Sequence, residues 1–212
     1  MKTAIIGLGN IGLRVAANLT RGGEHIIVSE RNLERAKARA ASLGANAEAL
    51  PIDEAVEKAD VIVLAIVFDA IKEFIVAHHA ALAGKIVVDP SNPIAPDGKG
   101  GFAKTLPPDT SSGQVIARLL PEGAELVKAF GTTVAASLET GANRKPERAV
   151  LFYATDYPEA ARAIAKLISA SGFAPVKVGG IDQSIRIEAF GDLHELGKLG
   201  KLVSLKEAEA LV

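Results

Sequence analysis

Between Ala4 and Leu19 the chain reads AIIGLGNIGLRVAANL, and glycines at positions 7, 9 and 12 restrict its fold more than any other feature. A short apolar run enters the turn and a helical pattern leaves it. In a G-x-G-x-x-G turn the first glycine permits the tight bend. The second lets backbone approach a pyrophosphate, and the third lets helix and strand pack closely. The helix start then offers free N–H groups and a partial positive charge to an anion. Ile11, Val15 and Leu19 fall on one helical face, and Ala16 keeps that face close to a sheet. The turn Gly7-Leu8-Gly9-Asn10-Ile11-Gly12 is therefore a candidate dinucleotide site. A tight strand-to-helix turn without a ligand is the alternative. No Gly-Lys-Ser/Thr follows, so a P-loop is not supported.

The pattern downstream alternates. Strands are predicted at Thr3–Ile6, His25–Ser29, Glu48–Leu50, Val61–Ile66 and Lys85–Asp89. Helices are predicted at Asn10–Arg21, Leu33–Leu43, Ile52–Lys58 and Ala70–Ala83. This order implies an α/β fold, a doubly wound parallel (Rossmann) sheet with helices on both faces. The rhythm stops at Pro90, where a long loop to Gly113 holds five of the ten prolines. Helix-like Gln114–Leu120 and strand-like Glu125–Phe130 follow. Ala149–Tyr153, Glu159–Ser171 and Ala174–Val178 make one further β-α-β unit, and 183–212 is expected to be mostly helical. The expected organisation is a dinucleotide-binding domain over 1–145 and a small C-terminal α/β extension, 146–212, packed on it.

Composition narrows the function. A net charge of −1 without a basic run argues against nucleic-acid binding, and the absence of cysteine excludes disulfides and thiolate catalysis. The longest strongly apolar run, Val61–Phe68, is too short to span a bilayer. No signal-peptide pattern precedes the first strand, so a soluble cytoplasmic protein is expected.

The second informative stretch is VSERN, from Val28 to Asn32. A carboxylate at this strand end can bind both ribose hydroxyls and favours NAD. An arginine just beyond can pair with a 2′-phosphate and favours NADP. Ser29 closes the strand, and Glu30 and Arg31 supply both chemistries, with Arg35 one helical turn on. Glu30 is expected to turn outward, which leaves two cations to favour NADP(H).

Other polar residues carry weaker signals. His78 and His79 end an amphipathic helix, and no metal site is expected there or elsewhere. Asp69 reads as a helix N-cap, and Ser111 and Ser112 precede a helix without a histidine or aspartate motif. His194 and Glu195 lie in a segment that could fold back over the site, though packing is the simpler use. Ile185, Ile187, Phe190, Leu193, Leu196 and Leu199 need a partner surface, and a homodimer through this segment is expected.

The sequence resembles the deazaflavin (coenzyme F420)-dependent NADP oxidoreductases and their bacterial dinucleotide-binding relatives. The resemblance rests on GLGNIG, VSERN, IVVDPSNPI, SSGQVIARLLPEGAELVKAFGTT and ISASGFAPVKVGGIDQSIRIEAFGDLHELG. It implies a nicotinamide laid across the carboxyl edge of the sheet. Ala65, Ile66 and Val67 would lie against the cofactor, and Asn92 and Pro93 beside the nicotinamide ribose. Ala129 and Gly131, Thr132, Thr133 and Val134 would form the floor for the electron acceptor. Deazaflavin enzymes of this kind are expected to hold histidine where Gly131 stands and an apolar residue where Thr133 stands. Hydride passes directly between two flat rings, so no catalytic protein acid is expected. The implied function is an NADP(H)-dependent oxidoreductase with a small-molecule acceptor, a flavin or deazaflavin as diffusible co-substrate. The alternatives are a reductase of small imines or ketones, similar to pyrroline-carboxylate reductases, and an NADP(H)-binding sensor.

Overall fold

The computed structural model describes residues 1–212. Its strands are β1 (Thr3–Ile6), β2 (Ile26–Ser29), β3 (Ala47–Ala49), β4 (Val61–Leu64), β5 (Ile86–Asp89), β6 (Ile94–Pro96), β7 (Phe102–Lys104), β8 (Glu125–Lys128), β9 (Val150–Ala154) and β10 (Ala174–Gly179). Its α-helices are α1 (Asn10–Arg21), α2 (Leu33–Leu43), α3 (Ile52–Lys58), α4 (Phe68–Ala77), α5 (Ser112–Ala117), α6 (Ala135–Thr140), α7 (Pro158–Ala170), α8 (Ser184–Ile187) and α9 (Leu205–Glu209). Eight strands form one sheet in the order β10-β9-β8-β5-β4-β1-β2-β3. β6 and β7 make a separate antiparallel hairpin.

β1 and β4 are buried at every position, as strands covered on both faces must be. On one face α1, α2 and α7 bring Val15, Leu19, Ala36, Ile164 and Ile168 onto Ile5, Val28, Val63 and Leu151. On the other, α3, α4 and α5 bring Val56, Ile71, Ile75 and Ile116 onto Ile6, Ile62, Leu64 and Leu126. Burying each large side chain of these layers contributes roughly 1.5–3 kcal/mol.

The α/β doubly wound class holds, with three differences in detail. First, the sheet is not wholly parallel. β9 runs antiparallel to β8 and meets it where Ala154 faces Lys128. Second, the long loop after Pro90 contains the β6–β7 hairpin. The Asp97 carboxylate accepts the Lys99 and Gly101 amides at 2.7 and 2.9 Å, which closes its turn. Third, the C-terminal segment expected to be mostly helical has only α8 and α9. Between them backbone packs on backbone: a Cβ on Gly197 would lie 1.8 Å from the Gly191 carbonyl oxygen. A continuous helix cannot make that approach.

Candidate functional site

Strands β1, β2, β4, β5 and β8 run parallel, so the residues that follow them collect along one edge of the sheet. The glycine turn sits at the middle of this edge. Gly7 has φ +93°, and a Cβ there would lie 2.5 Å from Ile66 Cγ2 and 2.6 Å from the Ala65 carbonyl oxygen. A Cβ on Gly12 would lie 1.9 Å from the Gly7 carbonyl oxygen. Gly9 has nothing within 4 Å on that side. The outer two glycines thus allow close packing, and the middle one leaves its backbone open. Ala65 and Ile66 are brought against the turn, while Val67 is exposed.

The helix starts on this edge differ from one another. Asn32 caps α2, with Glu34 in the first turn. α4 carries Asp69 in its first turn. Its N-cap is Val67 rather than Asp69, whose carboxylate instead holds Lys72 at 2.7 Å. Ser111 caps α5, and Glu188 accepts the Ser112 and Gly113 amides at 3.0 and 3.1 Å. Glu195 accepts the Val134 amide at the start of α6 at 2.9 Å. α1 has neither a side-chain cap nor an acid in its first turn. Of these five starts, α1 is therefore the one left open to an anion.

At the β2 end of the edge, Glu30 does not turn outward as the sequence suggested. Its side chain is only 7% exposed. Arg35 grips the carboxylate through two bonds, Nε to Oε1 at 2.8 Å and Nη2 to Oε2 at 2.5 Å. Arg39 Nε stands 3.7 Å from Oε1. A bidentate guanidinium supplies the partner that a buried carboxylate requires, which explains the inward rotamer. The Glu30 hydrogen bond and charge raise the pKa of Arg35 further. Arg31 is exposed, and the Ser29 hydroxyl donates to the Leu50 carbonyl at 2.7 Å. Arg39 was not singled out from the sequence. Its signal was there, because Arg35 and Arg39 stand four residues apart in α2, the spacing of one helical face.

At the other end the chain's last segment returns over β5 and β8. Asn92 donates from Nδ2 to the Gly131 carbonyl at 2.9 Å and accepts the Ala189 amide at 2.7 Å. One side chain therefore joins both walls of this end. Glu195 accepts from the Ser137 hydroxyl at 2.6 Å and from the Thr133 hydroxyl. Burial pushes its pKa up, but the bonds from Ser137, Thr133 and Val134 outweigh that and hold it below the usual range. His194 is buried. Its Nδ1 accepts the Leu196 amide at 2.9 Å, and its Nε2 has no hydrogen-bond partner. Burial lowers its pKa, against the opposing pull of the Gly131 carbonyl and Glu195.

Ala129, Thr132 and Thr133 are buried, and Phe130 adopts φ +63°. Gly131 is small for a packing reason: a Cβ there would lie 2.4 Å from the Pro90 carbonyl oxygen. Beneath this floor lies an ionic cluster that the sequence did not reveal. Lys128 donates to Asp89 at 2.8 Å, to Ser112 Oγ at 2.7 Å and to the Ser91 carbonyl. Glu188, from the returning segment, accepts the Ser112 hydroxyl at 2.8 Å. His78 is remote from this edge. It stacks on Phe74 and meets Asp53 at 3.1 Å.

Comparisons with known proteins agree with this architecture. The family model described as NADP oxidoreductase, coenzyme F420-dependent, matches residues 2–93. The hypothetical protein SMa0349 of Sinorhizobium meliloti is 30% identical, with TM-score 0.84 over 96% of this chain and 95% of that one. The Arthrobacter sp. FB24 protein described as an F420-dependent NADP-reductase shares the fold, with TM-score 0.73 and 23% identity over 87% of each chain. Metalloreductase STEAP3 of Rattus norvegicus is 31% identical over 188 residues, 89% of this chain. The chain spans only 36% of that relative's length.

Proposed function

We propose that the chain is a member of the coenzyme F420-dependent NADP oxidoreductases and their bacterial dinucleotide-binding relatives and that, as an NADP-dependent oxidoreductase, it moves a hydride between NADP(H) and a flavin-like or deazaflavin ring. One observation carries this reading: the open α1 start directly behind a glycine turn in which Gly7 and Gly12 have no room for a Cβ and Gly9 leaves its backbone open. The residues present fit a dinucleotide. Gly7-Leu8-Gly9-Asn10-Ile11-Gly12 would hold the pyrophosphate by backbone N–H groups. Ser29, Glu30, Arg31 and Arg35 would frame the adenosine ribose and its 2′-phosphate. Ala65, Ile66, Val67, Asn92 and Pro93 would line the path to the nicotinamide.

When bound, the nicotinamide supplies or accepts the hydride. The protein's own part is to bind, orient and exclude water. Asn92 fixes the height of the Gly131 carbonyl, and so of the floor from Ala129 to Val134, where the acceptor ring would lie. Glu195 holds that floor through the Thr133 hydroxyl and the Val134 amide. Residues 1–145 would carry the cofactor, and 146–212 would complete the acceptor end. No helix of the chain is long and apolar enough to cross a membrane. Phe190 and Leu196 remain exposed on the returning segment, which supports a homodimer through this face.

The test is NADPH oxidation against flavin mononucleotide, a deazaflavin, a quinone, a ferric chelate and a cyclic imine. Turnover of a flat-ring acceptor supports the proposal. Turnover of the imine alone would replace it with imine reduction. Tight NADPH binding without turnover of any acceptor would leave a sensor.

A further inference from the structure

We infer that Arg39 sets the preference for a 2′-phosphorylated dinucleotide by holding the Glu30 carboxylate inward, without itself touching the ligand. The inference rests on the NADP(H) reading and names the residue that decides it.

A carboxylate just past β2 is placed to accept both ribose hydroxyls, an arrangement that favours the unphosphorylated cofactor. Left alone, Glu30 would repel a 2′-phosphate. Here it faces two arginines from successive turns of α2. The two differ in freedom. The Arg35 side chain is 60% exposed, and that of Arg39 is 29% exposed. Arg39 Nη1 is moreover buried without a hydrogen-bond partner, so the guanidinium is held inward at the cost of an unmade bond. The division of labour follows. A phosphate arriving at the exposed side can draw Arg35 away from Glu30. Arg39 stays behind and keeps the carboxylate neutralised. Nearby Glu34 is already paired with Lys37 at 2.9 Å. Arg31, Arg35 and Arg39 against Glu30 then leave the pocket cationic.

Dissociation constants for NADPH and NADH, read from nicotinamide fluorescence, test this in wild type, Arg39→Gln, Glu30→Gln and the double variant. Wild type should prefer NADPH. Arg39→Gln should weaken NADPH by roughly 10-fold and change NADH by less than about 2-fold. In the Glu30→Gln background the same substitution should cost NADPH less than about 2-fold, because no anion remains to be held. Arg39→Lys keeps the charge and should stay within about 3-fold of wild type, which guards against a folding defect in the glutamine variant. Equal weakening of both cofactors would overturn the inference, as would an unchanged NADPH loss in the Glu30→Gln background, the mark of direct phosphate contact. So would a lysine variant as weak as the glutamine variant. A wild type that prefers NADH defeats both this inference and the NADP(H) reading. A wild-type NADPH preference that survives Arg39→Gln defeats this inference alone.

Discussion

The two halves of the carboxyl edge are built on different principles. The glycine-turn half is assembled from residues between Gly7 and Ile66, and what fixes it is steric: backbone lies where a side chain would stand. The half beyond β5 is completed from far along the chain, by Ala189 bonded to Asn92 and Glu195 bonded to Val134. What fixes that half is polar, through carboxylates seated on amides and hydroxyls. A steric half tolerates almost no change at its contact points. A hydrogen-bonded half should lose function in increments.

The sharpest break should come at Gly12. In Gly12→Ala the new Cβ meets the Gly7 carbonyl with no flexible neighbour to yield. Stability should fall by about 2–3 kcal/mol, and NADPH affinity by about 100-fold, because α1 must move off the turn. Thermal melts with a nicotinamide titration check both. Near-normal binding would mean that the turn is softer than its packing implies.

Arg31→Ala acts on the exposed rim of the same half. A charge-assisted contact contributes roughly 1.5–3 kcal/mol, so NADPH binding should weaken by about 10- to 100-fold. NADH binding should stay level. Parallel titrations decide it, and equal losses for both cofactors would point to Glu30 as the reader.

Glu195→Ala probes the other half. It strips the partners from Ser137, Thr133 and the Val134 amide. The acceptor KM should rise by about 10-fold while the NADPH dissociation constant holds, since each lost bond to a charged group contributes on the order of 1.5–3 kcal/mol and water replaces part of it. A change in NADPH affinity as large as that in KM would show that the halves are not separable.

The smallest effect is a pH slope. His194 titrates lower in the folded chain than in the unfolded one, because burial disfavours its charged form. Between the ordinary histidine value, about 6.5, and its lower folded value, the unfolded chain binds the extra proton. Stability should therefore fall as pH drops through this window, with a slope of at most about 1.4 kcal/mol per pH unit. Glu195, held low when folded, adds its own loss only at more acid pH, below the ordinary carboxylate value. Denaturant melts of wild type and His194→Gln between pH 5 and pH 7 read the difference. Equal slopes would assign the acid sensitivity elsewhere.

The same contrast explains what could be read from the sequence. The first half is legible because its determinants are adjacent: G-x-G-x-x-G, the buried stripe of α1 and the strand-end polar residues all fall within local windows. Even there the rotamer of Glu30 escaped, because Arg35, read as a partner for a phosphate, grips the carboxylate instead, with Arg39 a turn further on. The second half depends on pairs such as Lys128 with Asp89 and Ser112 with Glu188, which no periodicity announces. The returning segment differs from the helix its sequence suggests for a related reason. Its apolar spacing suits a helix, but Gly191 and Gly197 spend their freedom on a backbone crossing. Tertiary contact overrode local preference there.

One feature of the core bears on how the molecule comes apart. The apolar layer on the α1 face runs without a break from Val15 and Leu19 to Leu151, Ile164 and Ile168. Helix α1 and the C-terminal β-α-β unit thus share one interior, although an antiparallel seam divides their strands. The shared layer predicts that these two parts unfold together, which coincident thermal transitions read by far-UV and near-UV circular dichroism would check. A dinucleotide bound at the proposed glycine-turn site would then stabilise the C-terminal segment as well as the helix it caps.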